Sequence, residues 1–257
     1  MILSVIIQDI KKRPIAFVAM LVLVVLGINL GSWQLRRADV KIHQAQDIAD
    51  KALLPTLNAN NKYWTLDESM YRQMEVTGFW IPEKAIWLEN RPHPRGKDPK
   101  TGIATGFNLL MPFQIDNEHK NILWVNRGWA PRDFQQINRV PELKIERGRV
   151  SIVGVVFPDS GKTFQLSAEV ENRASDGLKI QENHFLKDDE FFANRLFPFV
   201  LREQNTHDSN GLDQTLPILN TGVNTHYGYA FQWFSLALMT FLYWLYNAFR
   251  KRFQSLR

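Results

Sequence analysis

His226 stands at the start of an uncharged run, His226-Tyr227-Gly228-Tyr229-Ala230-Phe231-Gln232-Trp233-Phe234. At 3.6 residues per turn, His226, Ala230 and Trp233 share one helix face. A neutral imidazole beside a small residue and a flat aromatic, at the edge of an apolar span, suits an axial ligand to haem iron. The propionates of such a macrocycle would need cations at the water boundary, and Arg36 and Arg37 leave another apolar run at the corresponding end. The same residues also fit an interfacial histidine with snorkelling arginines, so the pattern leaves both open.

Other chemistry finds less support. The 257 residues contain no cysteine, which excludes disulfides, thiolate catalysis and Cys-ligated clusters. There is no G-x-S-x-G, H-E-x-x-H, P-loop or G-x-G-x-x-G pattern, and the six histidines never pair at metal-ligand spacing along the chain. No catalytic residue is assigned, and none of these patterns points to an enzyme. The formal net charge is +5, with much of the excess beside the apolar runs rather than in a central basic cluster. That distribution fits membrane flanks better than a nucleic-acid surface.

Two segments must position these residues. Ile15 to Trp33 carries no charge and matches the length that crosses about 30 Å of hydrocarbon. It ends in Trp33-Gln34-Leu35-Arg36-Arg37, an interfacial anchor rather than a cleavage site. Tyr227 to Phe249 is likewise uncharged, with aromatics near both ends. Lys11, Lys12 and Arg13 precede the first span, and Arg250, Lys251 and Arg252 follow the second. The positive-inside tendency therefore predicts two transmembrane helices with both tails cytoplasmic. Gly27 and Gly31 form a G-x-x-x-G pair suited to close packing against the second helix.

The expected organisation is a cytoplasmic tail (1–13), a first transmembrane helix (14–34), an extracytoplasmic domain (35–225), a second transmembrane helix (226–249) and a cytoplasmic tail (250–257). Ala38 to Ala52 is polar and can continue the first helix beyond the membrane. Tyr71 to Trp80 alternates, with Met74 and Val76 on one face and Gln73, Glu75 and Thr77 on the other. Further strands are expected at Lys84–Glu89, Gly106–Ile115, Asn121–Arg127, Arg149–Phe157 and Phe197–Glu203. Ile122 to Val125, apolar on both faces, reads as a central strand. Ser167 to Asn183 reads as irregular, and Asp188-Asp189-Glu190 as the acidic start of a short helix to about Leu196. The fold class is a membrane protein in which two helices flank a mainly antiparallel β (α+β) domain.

Several segments together resemble the surfeit locus protein 1 family of cytochrome c oxidase assembly factors. They are Gly31-Ser32-Trp33-Gln34-Leu35-Arg36-Arg37, Tyr71-Arg72 leading to Val76-Thr77-Gly78, Val125-Asn126-Arg127-Gly128-Trp129-Ala130-Pro131, Val153-Gly154-Val155, and His226 to Phe234. The matches run in order over nearly the whole chain; they lapse at Ala104–Phe107 and over 162–183. The resemblance implies a non-enzymatic chaperone of the oxidase that binds haem a and aids its delivery to the haem-bearing subunit, with haem a synthase as a further candidate partner. The alternative it allows is a scaffold that stabilises an oxidase intermediate without haem. It places the family's haem-associated histidine on His226, so that His226, Trp233, Arg36 and Arg37 form the expected cofactor site and His226 the iron ligand. Asn126, Arg127, Gly128 and Trp129 are expected to be structural, with Gly128 turning the strand end and Trp129 filling the core; Arg127 as a propionate or partner contact is the alternative. The lack of an Arg/Ser-rich leader points to a bacterial inner membrane.

Overall fold

The computed structural model describes residues 2–135, 140–141, 145, 147–161, 173–175, 178–181, 192, 195–204, 211–216 and 222–254. The chain divides into a helical unit, residues 1–47 with 219–257, and a sheet unit, residues 48–218.

In the helical unit, α1 (Ile2–Lys12) is followed by α2 (Pro14–Ala52). Pro14 opens α2, where its missing N–H costs nothing and its fixed φ already suits a helix. The polar stretch after Trp33 does continue the helix, to Ala52. α4 (Val223–Gln254) closes the unit. Among the described residues, α2 is the one helix long and apolar enough to cross a membrane. α4 has the length, but its Tyr, Trp, Gln and Asn residues dilute its mean hydropathy.

The sheet unit carries β1 (Leu57–Asn58), α3 (Leu66–Ser69), β2 (Gln73–Trp80), β3 (Ile86–Pro92), β4 (Thr105–Ile115), β5 (Ile122–Pro131), β6 (Val150–Phe157), β7 (Arg173–Ser175), β8 (Leu178–Gln181) and β9 (Leu196–Glu203). A capping box starts α3: the Thr65 hydroxyl accepts from the Glu68 N–H, and the Glu68 carboxylate accepts from the Thr65 N–H. The strands follow the order β1-β2-β6-β9-β5-β4-β3-β8-β7, and β2 also pairs with β4. That extra pairing closes β2, β6, β9, β5 and β4 into a barrel. Gly78 lies at the closure: it pairs with both Val150 and Ile115, and a side chain there would overlap the Gln114 carbonyl.

The expected alternation in β2 holds, with Met74 and Val76 fully buried. β5 is buried along nearly its whole length and lies between β9 and β4. Leu57, Met74, Val76, Phe113, Leu123, Val125, Phe197, Phe199 and Leu201 belong to one buried cluster, which fills the barrel. Most pairings are antiparallel, but β1–β2, β3–β8 and β5–β9 are parallel. Two strands, β7 and β8, occupy part of the segment read as irregular. The short helix expected over 188–196 lies largely outside the described residues, and Leu196 itself begins β9.

Asn126 to Trp129 lie within a strand and not at its end. β5 continues to Pro131, and the register slips between Leu109–Gly128 and Leu110–Asn126, leaving Arg127 as the extra residue of a bulge. Gly128 has φ +140°, and the Asn126 side-chain oxygen accepts from its N–H at 3.1 Å. A Cβ on Gly128 would lie 2.9 Å from the Asp213 carbonyl oxygen. Trp129 is buried, and its indole N–H donates to the Arg91 carbonyl at 2.9 Å.

Candidate functional site

The buried residues of α2 are Met20, Gly27, Gly31, Gln34 and Ala38. Their spacing of seven, four, three and four keeps them in one stripe. α4 lies against that stripe and runs the opposite way. Phe17 meets Trp244 with ring centroids 5.5 Å apart. Further along α2, a Cβ on Gly27 would be 3.0 Å from both the Ala237 Cβ and the Trp233 carbonyl oxygen, and one on Gly31 would be 2.7 Å from the Phe234 ring. The Gly27–Gly31 pair thus does what small residues do at helix interfaces, letting two backbones approach.

The next contact in this series is polar. His226 Nδ1 lies 2.7 Å from Gln34 Oε1. A carboxamide oxygen only accepts, so the hydrogen of a neutral imidazole sits on Nδ1, and Nε2 keeps its lone pair. His226 is half-buried and Gln34 is buried. A histidine that ligates a metal through one nitrogen and donates from the other has this donor arrangement, so the residues present fit a haem iron at Nε2.

The other expected site residues fall around this pair. Ala230, one turn from His226, is buried, and Trp233, a further turn on, is half-buried. Arg36 and Arg37 are both exposed, but they do not share a side. Arg37 follows Gln34 by about one turn and flanks the seam. Arg36, two residues past Gln34, points to the opposite side of α2 by helical geometry. His226 and Trp233 thus lie toward the seam on α4, whereas by helical geometry Arg37 lies at the edge of the α2 stripe and Arg36 on its far side. Gln34 was not among the expected site residues. Its signal was present, because Gly27, Gly31, Gln34 and Ala38 form one heptad-like face in which a polar residue needs a partner.

A second cluster lies in the sheet unit. His93, Asp98 and Asp213 place one potential ligand atom each within 4.8 Å of one another. Asp98 and Asp213 also line a cavity of about 610 Å³, together with Trp129 and Leu212. His93 is buried, and its Nε2–H donates to Asp213 Oδ2 at 2.7 Å while its Nδ1 accepts from the Arg95 N–H at 3.2 Å. Trp129 packs edge-on to the imidazole at 4.8 Å. The N–H of Thr215 donates to the other Asp213 oxygen, and the N–H of Lys100 and the Thr101 side chain donate to Asp98. Burial pushes the Asp213 carboxyl up, but the hydrogen bonds from Thr215 and His93 outweigh it and hold the group below its ordinary value. Asp98 is also held low, by the Thr101 hydroxyl first and the Lys100 N–H second. With both His93 nitrogens engaged, a metal bond at Nε2 would need an imidazolate or a broken Arg95 contact. The cluster pins the 93–104 loop to the 211–215 segment. Sequence spacing could not reveal it, since His93 and Asp213 are 120 positions apart.

Taken together, one long apolar helix near the N-terminus and a mixed, barrel-like sheet fit a membrane-anchored α+β protein. The SURF1 family profile matches residues 21–238, and the chain belongs to that family, which is generally linked to cytochrome oxidase assembly. It is 26% identical over 232 residues to a SURF1-like protein of Rickettsia bellii, covering 88% of this chain and 86% of the relative. A SURF1-like protein of Rickettsia felis is 28% identical over 224 residues, covering 82% and 87%. One from Caenorhabditis elegans is 26% identical over 261 residues, covering 91% and 74%.

Proposed function

We propose that the protein is a non-enzymatic assembly factor for haem–copper cytochrome c oxidase, and that it binds haem a through His226 and passes it to the haem-bearing subunit. The observation that carries the haem reading is the His226–Gln34 contact at 2.7 Å, which leaves Nε2 as the available donor. The iron of the bound group would supply the Lewis acid that this nitrogen meets. Trp233 would offer a flat apolar surface, and Arg37 a cation for a propionate; Arg36 could serve only from the far side of α2. A single imidazole ligand suits cargo that must be released, since fewer protein bonds break on hand-over.

In this reading α4 is a second transmembrane helix. It carries no charge from Tyr227 to Phe249, and Phe231, Leu236, Leu238, Met239 and Leu242 are exposed along it. Apolar exposure on this scale is stable in lipid and costly in water. Antiparallel spans bring Lys11, Lys12 and Arg13 to the same membrane side as Arg250, Lys251 and Arg252, which the positive-inside tendency assigns to the cytoplasm. The residues between the spans are then extracytoplasmic, in a bacterial inner membrane.

The test is an absorption spectrum of detergent-purified protein from cells that make haem a. Wild type should carry haem, and His226→Ala should lose it while still inserting in the membrane. Full haem with an unchanged spectrum in the alanine variant would refute His226 as ligand. Colourless wild-type protein that still captures the oxidase subunit would favour a scaffold without cofactor.

A further inference from the structure

We propose that Gln34 is a positioning residue for His226: its carboxamide oxygen holds the imidazole as the Nδ1–H tautomer and directs Nε2 outward as the metal-binding atom. This rests on the haem reading above and extends it to a residue on the other helix, so that α2 and α4 build the ligand jointly. Free histidine favours the proton on Nε2, the nitrogen the iron would need bare. At His226 an acceptor 2.7 Å from Nδ1 reverses that preference.

The carboxamide is well held. Gln34 is 9% exposed and lies in the stripe with Gly27, Gly31 and Ala38, which pack α2 against α4. Swinging it to water would pull it out of the helix seam. A rotating exposed side chain could not fix an imidazole; a buried one in a two-helix contact can. Partners of this kind orient a ligating histidine and raise its basicity, and losing one typically weakens metal affinity roughly 10–100-fold.

The experiment uses the full chain in detergent. Nitrogen-15 spectra of histidine-labelled apo-protein, with the His226 signal identified by its loss in His226→Ala, report which ring nitrogen is protonated. Wild type should show a protonated Nδ1. Gln34→Met keeps length and bulk but removes the acceptor, so the proton should move to Nε2. On titration with haem a, Gln34→Met should bind about 10-fold or more weakly. Gln34→Glu restores an acceptor; it should recover the Nδ1–H tautomer and shift the reduction potential of the bound haem downward, a response that simple helix damage would not produce. An unchanged tautomer and affinity in Gln34→Met overturn the proposal while leaving His226 as ligand untouched. If instead the tautomer moves but His226→Ala retains haem, the contact between the helices stands, and both the ligand assignment and the positioning role fall.

Discussion

Arg127 Nε donates to Glu203 Oε2 at 3.2 Å, with both side chains almost wholly buried. Arg127 follows Leu123 and Val125 on the inward face of β5, and Glu203 follows Phe199 and Leu201 on that of β9. The guanidinium also lies over the Trp80 ring, 4.3 Å from its centre. The arginine in the Asn-Arg-Gly-Trp segment is therefore buried in the sheet unit, paired with Glu203 and stacked on Trp80.

Breaking this pair on one side removes a compensating charge from a buried group. Arg127→Met should lower stability by about 3–5 kcal/mol, because the buried Glu203 carboxylate loses the Arg127 guanidinium. The double variant Arg127→Met with Glu203→Leu should recover much of the loss. Denaturant unfolding followed by tryptophan fluorescence measures both, and a single variant within about 1 kcal/mol of wild type would contradict the buried pairing.

Gly128 should tolerate no side chain. Its φ of +140° and the 2.9 Å approach of the Asp213 carbonyl to a Cβ predict that Gly128→Ala costs about 1–3 kcal/mol from backbone strain, with the close approach adding to it. Gly148→Ala, also at positive φ but with open space around it, should cost less. Paired melting curves decide, and equal losses would mean that the Asp213 contact contributes nothing.

The antiparallel helix seam can be locked chemically. The chain has no cysteine background, and a Cβ on Gly27 would lie 3.0 Å from that of Ala237, close to the roughly 3.5–4.5 Å span of a disulfide. Gly27→Cys with Ala237→Cys should oxidise to an intramolecular crosslink in membranes. Gly27→Cys with Leu238→Cys, which faces outward, should not. Equal crosslinking of both pairs would rule out the fixed seam.

Acid should loosen the sheet unit through Asp213 and Asp98. Both carboxyls are held below their ordinary values in the folded state, so each stabilises the fold at pH above its unfolded-state value of about 3.9. That contribution disappears as pH falls through the lower, folded-state values. Asp213→Asn should reduce stability near pH 7 and flatten its decline below about pH 4. Unfolding midpoints measured from pH 7 to pH 3 test this; an acid limb as steep as that of wild type would show that the His93 and Thr215 bonds do not hold Asp213 ionised.

Much of this architecture is written in local pattern. Uncharged runs mark Ile15–Trp33 and Tyr227–Phe249, alternation marks Met74 and Val76, and the double-sided apolar run marks β5 as central. Helix periodicity even puts Gly27, Gly31 and Gln34 on one face. These features follow from periods of 3.6 and 2 and from the cost of burying charge, all of which act over a few residues. The closure of β2 onto β4, the parallel pairing of β5 with β9, the bulge at Arg127–Gly128 and the His93–Asp213 bond join segments tens of residues apart. They were decided when strands settled on the register that filled one core, a choice no short window contains. The meeting of His226 with Gln34 belongs with them: each residue is visible in its own helix, but only the packing of α4 against α2 turned two polar side chains into a hydrogen-bonded pair.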